Sequence, residues 1–172
     1  MKKYFCALFI FVTSCQMSNR HDYIEIVDKI TNQYKNKVIL DENLVLMGEG
    51  GGMMGDIQRV TLTFNSFRKL DIPEARKLIV KLEQEFLQML NDNRDVRPFL
   101  HDFPVQSKNF ELSLIFSSLE NGFVLPPYLA SVFVLNGKIY YNTYNEGRKM
   151  MKLEYSEVYE EDFKTVFEYG SR

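Results

Sequence analysis

Two periods of apolar residues run along this chain, one of three to four residues and one of two. The first appears after Asp22, which is a suitable helix N-cap, and predicts a helix from Tyr23 to about Asn36. Its apolar stripe consists of Ile24, Val27, Ile30, Thr31 and Tyr34. A turn at residues 41–43 then leads into a short predicted strand from Leu44 to Met47.

The clearest helical pattern begins at Asp71-Ile72-Pro73-Glu74. Asp71 is placed as the N-cap, Pro73 lies in the first turn and Glu74 is spaced to complete a capping box. The apolar stripe that follows contains Ala75, Leu78, Ile79, Leu82, Phe86, Met89 and Leu90. One side of this helix is therefore expected to pack on a sheet, while its charged side faces water.

Period-two alternation predicts strands at residues 58–68 and 110–116, because apolar and polar side chains take turns in both segments. Asn136-Gly137 lies between two further strand-like runs and predicts a hairpin with a type I′ turn. In that register Val134 faces Ile139, Val132 faces Tyr141 and Phe133 faces Tyr140. A last helix is predicted from Ser156, with a stripe of Tyr159, Phe163, Val166 and Phe167, ending at Gly170.

These elements predict an α+β fold. We expect a single antiparallel sheet of four to five strands, with about three helices packed mainly on one face, because most connections are short enough for antiparallel neighbours. The sequence shows neither an internal repeat nor a low-complexity tail.

The start of the chain has a different pattern. Lys2 and Lys3 precede an apolar run from Tyr4 to Val12, and the segment ends in Thr13-Ser14-Cys15. Nine apolar residues reach about 13 Å as a helix, whereas a bilayer core is about 30 Å thick. This segment therefore predicts a cleaved export signal and not a membrane-spanning helix.

Val12-Thr13-Ser14-Cys15 resembles the lipobox of bacterial lipoprotein precursors. The resemblance implies cleavage before Cys15, diacylation of the Cys15 thiol and attachment of the chain to a lipid bilayer, because two acyl chains suffice for stable anchoring. It divides the chain into a signal peptide at 1–14, a lipidated tether at 15–22 and one globular domain at 23–172. Gln16 in place of aspartate favours the outer membrane if the cell is Gram-negative.

Composition narrows the function classes. The chain has 21 basic and 23 acidic residues, and removal of Lys2 and Lys3 leaves 19 basic, for a formal charge near −4. No basic stripe indicates a nucleic-acid partner. Cys6 and Cys15 are the two cysteines, so the mature domain is expected to fold without a disulfide or thiolate metal site, and no cofactor or metal is predicted.

A glycine-rich segment, residues 48–56, is the most unusual internal feature. A P-loop would need Gly-Lys-Ser/Thr before a helix, whereas Gly55-Asp56 here precedes a strand pattern, and Asp56 would repel phosphate. We therefore expect a flexible loop between antiparallel strands. Met53 and Met54 in this loop are candidate ligand or partner contacts.

The loop from Arg94 to Pro104 brings an arginine, a histidine and an aspartate close in sequence. His101 oriented by Asp102 would suit a general base, but adjacent side chains rarely aim at each other, and no nucleophile has a recognisable signature. An ordered loop held by its prolines is the favoured interpretation. Arg97 and His101 are retained as candidate contact residues.

The hairpin after Ser131 is rich in tyrosine. Tyr140, Asn142 and Tyr144 share one side of the second strand, where they would form either a recognition surface or the cover of a half-exposed sheet. Both alternatives remain open from sequence.

Two functions follow. The first is a membrane-anchored envelope lipoprotein that binds or assists the assembly of an envelope protein partner without catalysis. The alternative is a small envelope hydrolase acting on cell-wall or lipid material. Its candidate catalytic residues would be His101, Asp102 and Arg97.

Overall fold

The structure is a computed structural model that describes residues 22–120, 122–144 and 155–164. The predicted signal peptide, the tether up to residue 21 and the acylation site Cys15 lie outside these residues. Val166, Phe167 and Gly170 of the predicted last helix also lie outside them.

Two α-helices and six strands are described. In chain order they are α1 (Asp22–Glu42), β1 (Val45–Met53), β2 (Ile57–Ser66), α2 (Ile72–Asp92), β3 (Phe110–Phe116), β4 (Ser131–Leu135), β5 (Lys138–Tyr144) and β6 (Tyr155–Asp162). The strands form one sheet in the order β1-β2-β3-β4-β5-β6. Neighbours are antiparallel except β2 and β3, which are parallel.

The fold is α+β, as predicted, but the finer expectation needs correction. The described sheet is mixed and has six strands in place of four or five antiparallel ones, and two α-helices are described in place of three. The parallel pair arises because α2 carries the chain back along the sheet between β2 and β3, and parallel neighbours need a crossover of this kind.

Helix α2 begins as its capping residues predict. The Asp71 side chain accepts a hydrogen bond from the Glu74 backbone N–H at 3.0 Å, and the Glu74 carboxylate accepts one from the Asp71 N–H at 3.2 Å. Two N–H groups that the helix itself cannot satisfy are thereby satisfied. The start of α2 is fixed by sequence-local contacts.

Tyr34 of α1 lies where this helix meets α2 and the sheet. Its ring lies 4.9 Å from that of Phe86 on α2 and 6.4 Å from that of Phe110 on β3, between centroids. The buried Tyr34 hydroxyl donates to the Leu82 carbonyl at 2.8 Å. Burial raises the pKa of Tyr34 well above its usual value, so this hydroxyl stays a donor. Tyr34 thus joins α1, α2 and the sheet.

The β4–β5 hairpin matches its prediction in turn and register. Asn136 and Gly137 have φ values of 51° and 76°, both positive as a type I′ turn requires. Val134 pairs with Ile139, Val132 with Tyr141 and Phe133 with Tyr140.

The glycine-rich segment was predicted as a loop, and this prediction was wrong in extent. Gly48 to Gly52 lie within β1 and pair with β2, so the connection between the strands is only residues 54–56. Strand pairing compensates for the weak intrinsic preference of glycine for strands, which is why local sequence predicted only the start of β1, at Leu44–Met47, and not its continuation through the glycines.

The predicted last helix was also wrong for residues 156–162, whereas Phe163 and Lys164 are helical. Residues 155–162 form β6, which pairs antiparallel with β5. Tyr159 and Phe163 are four residues apart, and this spacing places two side chains on the same side of a helix and also on the same side of a strand. The open edge of β5 decides between them, because an edge strand offers unpaired backbone groups to a neighbouring segment.

Candidate functional site

A pocket lies at the end of the sheet where β2 and β3 begin. Its volume is about 690 Å³, and four segments of the chain form its wall: the last two turns of α2, residues 105–108, the Asn136–Gly137 turn and residues 162–164. Its lining includes the polar Gln84, Gln88, Gln106, Ser107, Lys108 and Asn136 and the apolar Leu87, Val105 and Phe163.

Asn91 attaches the 105–108 segment to α2. Its side-chain amide donates to the Val105 carbonyl at 3.0 Å, and its side-chain oxygen accepts from the Val105 N–H at 2.7 Å. Asn109 holds the other end of the segment, because its side-chain amide donates to the Gln58 carbonyl at 3.2 Å. These bonds place Ser107 and Lys108 in the pocket wall.

Glu83 is the most unusual side chain near the pocket. It lies on the buried side of α2, next in sequence to the pocket-lining Gln84, and it is fully buried. Within the described residues both Glu83 carboxyl oxygens and the Ser107 hydroxyl lack a hydrogen-bond partner. The Ser107 hydroxyl is nevertheless close enough to the Glu83 carboxyl to act on it as a hydrogen bond does, although not with ordinary hydrogen-bond geometry.

Burial raises the pKa of Glu83 to about 8, and the nearby Ser107 hydroxyl opposes this shift only in part. At neutral pH the side chain is therefore a neutral carboxylic acid, which donates one hydrogen bond and accepts others. Sequence analysis did not single out Glu83. A signal was present, because Glu83 follows Ile79 by four residues and precedes Phe86 by three, which places a charged residue type in the apolar stripe.

His101 is paired with Asp56 and not with its neighbour Asp102. His101 Nδ1 lies 2.6 Å from Asp56 Oδ2, and the His101 N–H donates to the Ile57 carbonyl. The Asp56 carboxylate raises the pKa of His101, and His101 in turn lowers the pKa of Asp56. These contacts join the β1–β2 turn to the loop that follows α2.

Asp102 has partners of its own. Its Oδ2 accepts from the Asn109 side-chain amide at 2.9 Å and lies 3.0 Å from Lys108 Nζ. These two contacts lower the pKa of Asp102. Because Asp102 contacts Lys108 and Lys108 lines the pocket, the His101 loop and the pocket lie side by side.

Arg97 and the methionines lie on the same end of the molecule. The Arg97 guanidinium stands 4.4 Å above the Phe103 ring, and it donates to the Asn91 carbonyl at 3.0 Å. Met53 is half-buried against the core, whereas Met54 in the turn is 87% exposed. The structure thus brings Met53, Met54, Arg97 and His101 to one end of the sheet.

The two candidate tyrosines are not equivalent. Tyr140 is half-buried and stacks on Phe133, with ring centroids 5.1 Å apart. Tyr144 is buried, and its ring meets the edge of Phe123 at 5.6 Å. Asn142, between them in sequence, donates to the Ser131 hydroxyl at 3.2 Å. Only Tyr140 offers a partly open aromatic face.

The side chains described at this end of the molecule can donate and accept hydrogen bonds. Among the described residues no group of three or more His, Cys, Asp or Glu side chains is placed to hold a metal ion. Among the described residues, the hydrogen bonds of His101 go to Asp56 and Ile57. In residues 22–120, 122–144 and 155–164, no helix has the length and apolar character needed to cross a bilayer.

Comparison with known proteins gives no relative. The chain matches no family model, no curated protein and no solved structure.

Proposed function

We propose that this chain is an exported bacterial lipoprotein, anchored to the envelope membrane through acylated Cys15, whose domain binds a ligand or partner without catalysis. The lipobox-like sequence supports the anchor. Gln16 favours the outer membrane if the cell is Gram-negative. The binding surface of the domain is the pocket between α2 and the β4–β5 turn.

The observation that carries the binding function is the lining of this pocket. A volume of about 690 Å³ falls within the range of small-ligand sites, about 300–1,000 Å³. Its polar groups are mainly carboxamides, including Gln84, Gln88 and Asn136. Carboxamides donate and accept hydrogen bonds but do not exchange protons near neutral pH, so they suit recognition more than acid–base chemistry.

Photo-crosslinking in cells tests this function. A photoreactive amino acid is placed at Gln88, which is exposed at the pocket, and in a second variant at Lys77, which is exposed on the same helix. The two positions are 11 residues apart, about 16 Å along α2. We expect a discrete adduct from position 88 and none from position 77. Adducts that are absent from both positions, or equal at both, would contradict a binding role for the pocket.

The second candidate, an envelope hydrolase, has one observation in its favour: His101 and Asp56 form a close pair. The pair is open to solvent, with 54% of the His101 side chain exposed. Its raised pKa also keeps more of His101 protonated, which weakens it as a general base. Release of soluble fragments from purified cell wall or of fatty acid from lipid, lost in His101→Ala, would establish the hydrolase and refute the non-catalytic proposal.

A further inference from the structure

The start of α1 identifies the end of the domain that lies nearest the proposed anchor. α1 begins at Asp22, and the Tyr23 ring in its first turn stacks on Phe99, with ring centroids 5.7 Å apart. Phe99 belongs to the loop after α2, which the His101–Asp56 contact joins to the β1–β2 turn. The start of α1, this turn and this loop therefore lie at one end of the sheet. We call the surface formed by residues 54–56 and 93–109 the tether end.

The proposed tether is short compared with the domain. Asp22 follows Cys15 by seven positions, and seven residue steps cover at most about 25 Å when fully extended. Leu40, near the other end of α1, lies 18 positions beyond Asp22, which is about 27 Å further along the helix. An acylated Cys15 would thus hold the tether end close to the bilayer. A short linker gives an effective concentration of about millimolar, so a weak contact between this end and the lipid would be formed much of the time.

The tether end exposes two large apolar side chains beside a cation. Met54 is 87% exposed and Phe103 is 53% exposed. The Arg97 guanidinium lies 4.4 Å from the centre of the Phe103 ring. Among the described residues its partners are this ring and the Asn91 carbonyl, and they include no carboxylate. Such a group suits the boundary between lipid headgroups and acyl chains, where the apolar parts enter the chains and the cation meets phosphate.

The charges of the tether end permit close approach to an anionic surface. Its two segments carry three acidic and three basic residues, whereas acidic residues are in excess in the chain as a whole. Asp56 lies 2.6 Å from His101 Nδ1, and Asp102 lies 3.0 Å from Lys108 Nζ. These pairs reduce the repulsion that free carboxylates would exert on lipid phosphates. Residues 16–21, which form the proposed tether, include Arg20 and no acidic residue.

We propose that the tether end docks on the phospholipid surface to which the chain is anchored, with Met54 and Phe103 at the base of the headgroups and Arg97 on a lipid phosphate. This inference rests on the proposed function, because it requires the acylated Cys15. It adds an orientation to that function. The pocket adjoins the tether end through Lys108, so it lies near the membrane surface, while Leu40 is at the end of the domain that points away.

Tryptophan fluorescence tests this orientation, because the chain contains no tryptophan of its own. Met54→Trp and Phe103→Trp report on the tether end. Leu40→Trp is the matched control, since Leu40 is 81% exposed at the other end of α1. Each full chain is purified from membranes in detergent and reconstituted into vesicles of phosphatidylethanolamine and phosphatidylglycerol. The vesicles also contain a lipid whose acyl chains are brominated near the headgroup.

Bromine quenches tryptophan only at close range, so quenching identifies the side chains that enter the bilayer. We expect the brominated lipid to lower the emission of Met54→Trp and of Phe103→Trp at least about twofold and to leave Leu40→Trp unchanged. The emission maxima of the first two variants should also move to shorter wavelength when the detergent-purified chain is reconstituted into vesicles without bromine.

A charge reversal tests the Arg97 contact. Arg97→Glu, made in the Phe103→Trp chain, is expected to reduce the quenching at least about twofold, because a carboxylate is repelled by lipid phosphate. Lys77→Glu makes a comparable change at an exposed position near the start of α2, at the other end of the domain, and should leave the quenching as it was. Equal reductions in both variants would show that overall charge, and not Arg97, governs the approach to lipid.

Vesicle flotation separates failure of this inference from failure of the proposed function. A wild-type chain that does not float with the vesicles would overturn both the anchor and the docking. A chain that floats while Met54→Trp and Phe103→Trp remain unquenched would overturn the docking and leave the anchor standing. Quenching of Leu40→Trp that equals or exceeds that of the other two variants would show that a different surface of the domain meets the membrane, and the inference would be wrong.

Discussion

Single residues determine the pH dependence of this domain, and Glu83 is the clearest case. Its pKa is raised from an ordinary value near 4.5 to about 8, so between these values the native state holds a proton that the unfolded state has released. The free energy of unfolding must then fall as pH rises through this window, by up to about 1.4 kcal/mol per pH unit. Below pH 4.5 this side chain makes no pH-dependent contribution, and above pH 8 its cost is complete.

Glu83→Gln is expected to remove this cost. The amide has nearly the same shape and cannot ionise, so the variant should match wild type near pH 4 and exceed its free energy of unfolding by roughly 2 to 5 kcal/mol at pH 8. Urea unfolding followed by circular dichroism at pH 4, 6 and 8 measures the difference. Glu25→Gln, at an exposed position on α1, is the control and should leave the pH dependence unchanged. Equal stabilities of wild type and Glu83→Gln at all three values would show that Glu83 ionises normally.

The second residue-level prediction concerns the partner of His101. The hydrogen bond that His101 donates to the Asp56 carboxylate is the main cause of the raised His101 pKa, and Asp102 contributes less, through charge alone. The chain has two histidines, so a proton NMR titration can follow His101 directly. We expect its pKa to lie above 6.5 in wild type and to fall clearly in Asp56→Asn.

Asp102→Asn is the matched control for that titration. It removes an equal charge from the residue adjacent in sequence, but it leaves the His101–Asp56 contact in place. Its effect on the His101 pKa should be the smaller of the two. A larger fall in Asp102→Asn than in Asp56→Asn would restore the adjacent pairing that sequence alone suggests.

At the scale of elements, the glycines of β1 differ in what they tolerate. A Cβ atom added to Gly51 would lie 2.5 Å from the Arg59 carbonyl oxygen of β2, whereas one added to Gly50 would meet nothing within 4 Å. Gly51→Ala should therefore lower the free energy of unfolding by about 1 to 3 kcal/mol, because either β1 or β2 must shift. Gly50→Ala should leave it unchanged or raise it by up to about 1 kcal/mol, since alanine loses less backbone freedom on folding.

Urea denaturation of the two variants at one pH measures this contrast. The substitution is the same, the positions are adjacent and both lie in β1, so differences in side-chain chemistry are cancelled. Equal losses in both variants would indicate that glycine is needed along the whole strand for another reason.

The elements that sequence predicted well are those fixed by local contacts. Asp71 and Glu74 define the start of α2 within four residues, and Asn136-Gly137 sets both the turn and the register of the β4–β5 hairpin. The glycine-rich part of β1, beyond the predicted Leu44–Met47 strand, and the whole of β6 were missed because their strand conformation depends on pairing with β2 and β5. Local preference at the glycines, or the spacing of Tyr159 and Phe163, does not contain that information.

At the scale of the whole molecule, long-range pairing decides the topology and the site. β2 and β3 pair in parallel, with Val60 opposite Phe110, although 43 residues separate the two strands. That crossover places the β1–β2 turn, the loop after α2 and the pocket at one end of the sheet. The sequence supplied Met54 and His101 as separate candidates. It could not supply their placement at the same end of the sheet, because only the fold brings together residues 47 positions apart in sequence.

The last prediction concerns how the domain is held in the cell. The proposed anchor requires the Cys15 thiol, whereas Cys6 lies in the segment that export would remove. Cys15→Ala should therefore abolish incorporation of labelled palmitate and release the protein from sedimented membranes, because no acyl chain remains to bury in the bilayer. Cys6→Ala should still incorporate labelled palmitate and should still sediment with the membranes. Because the two variants make the same substitution nine residues apart, they separate acylation from any general effect on export. Label that persists in Cys15→Ala would refute the anchor, while the pocket crosslinking at Gln88 would still test the binding function of the domain.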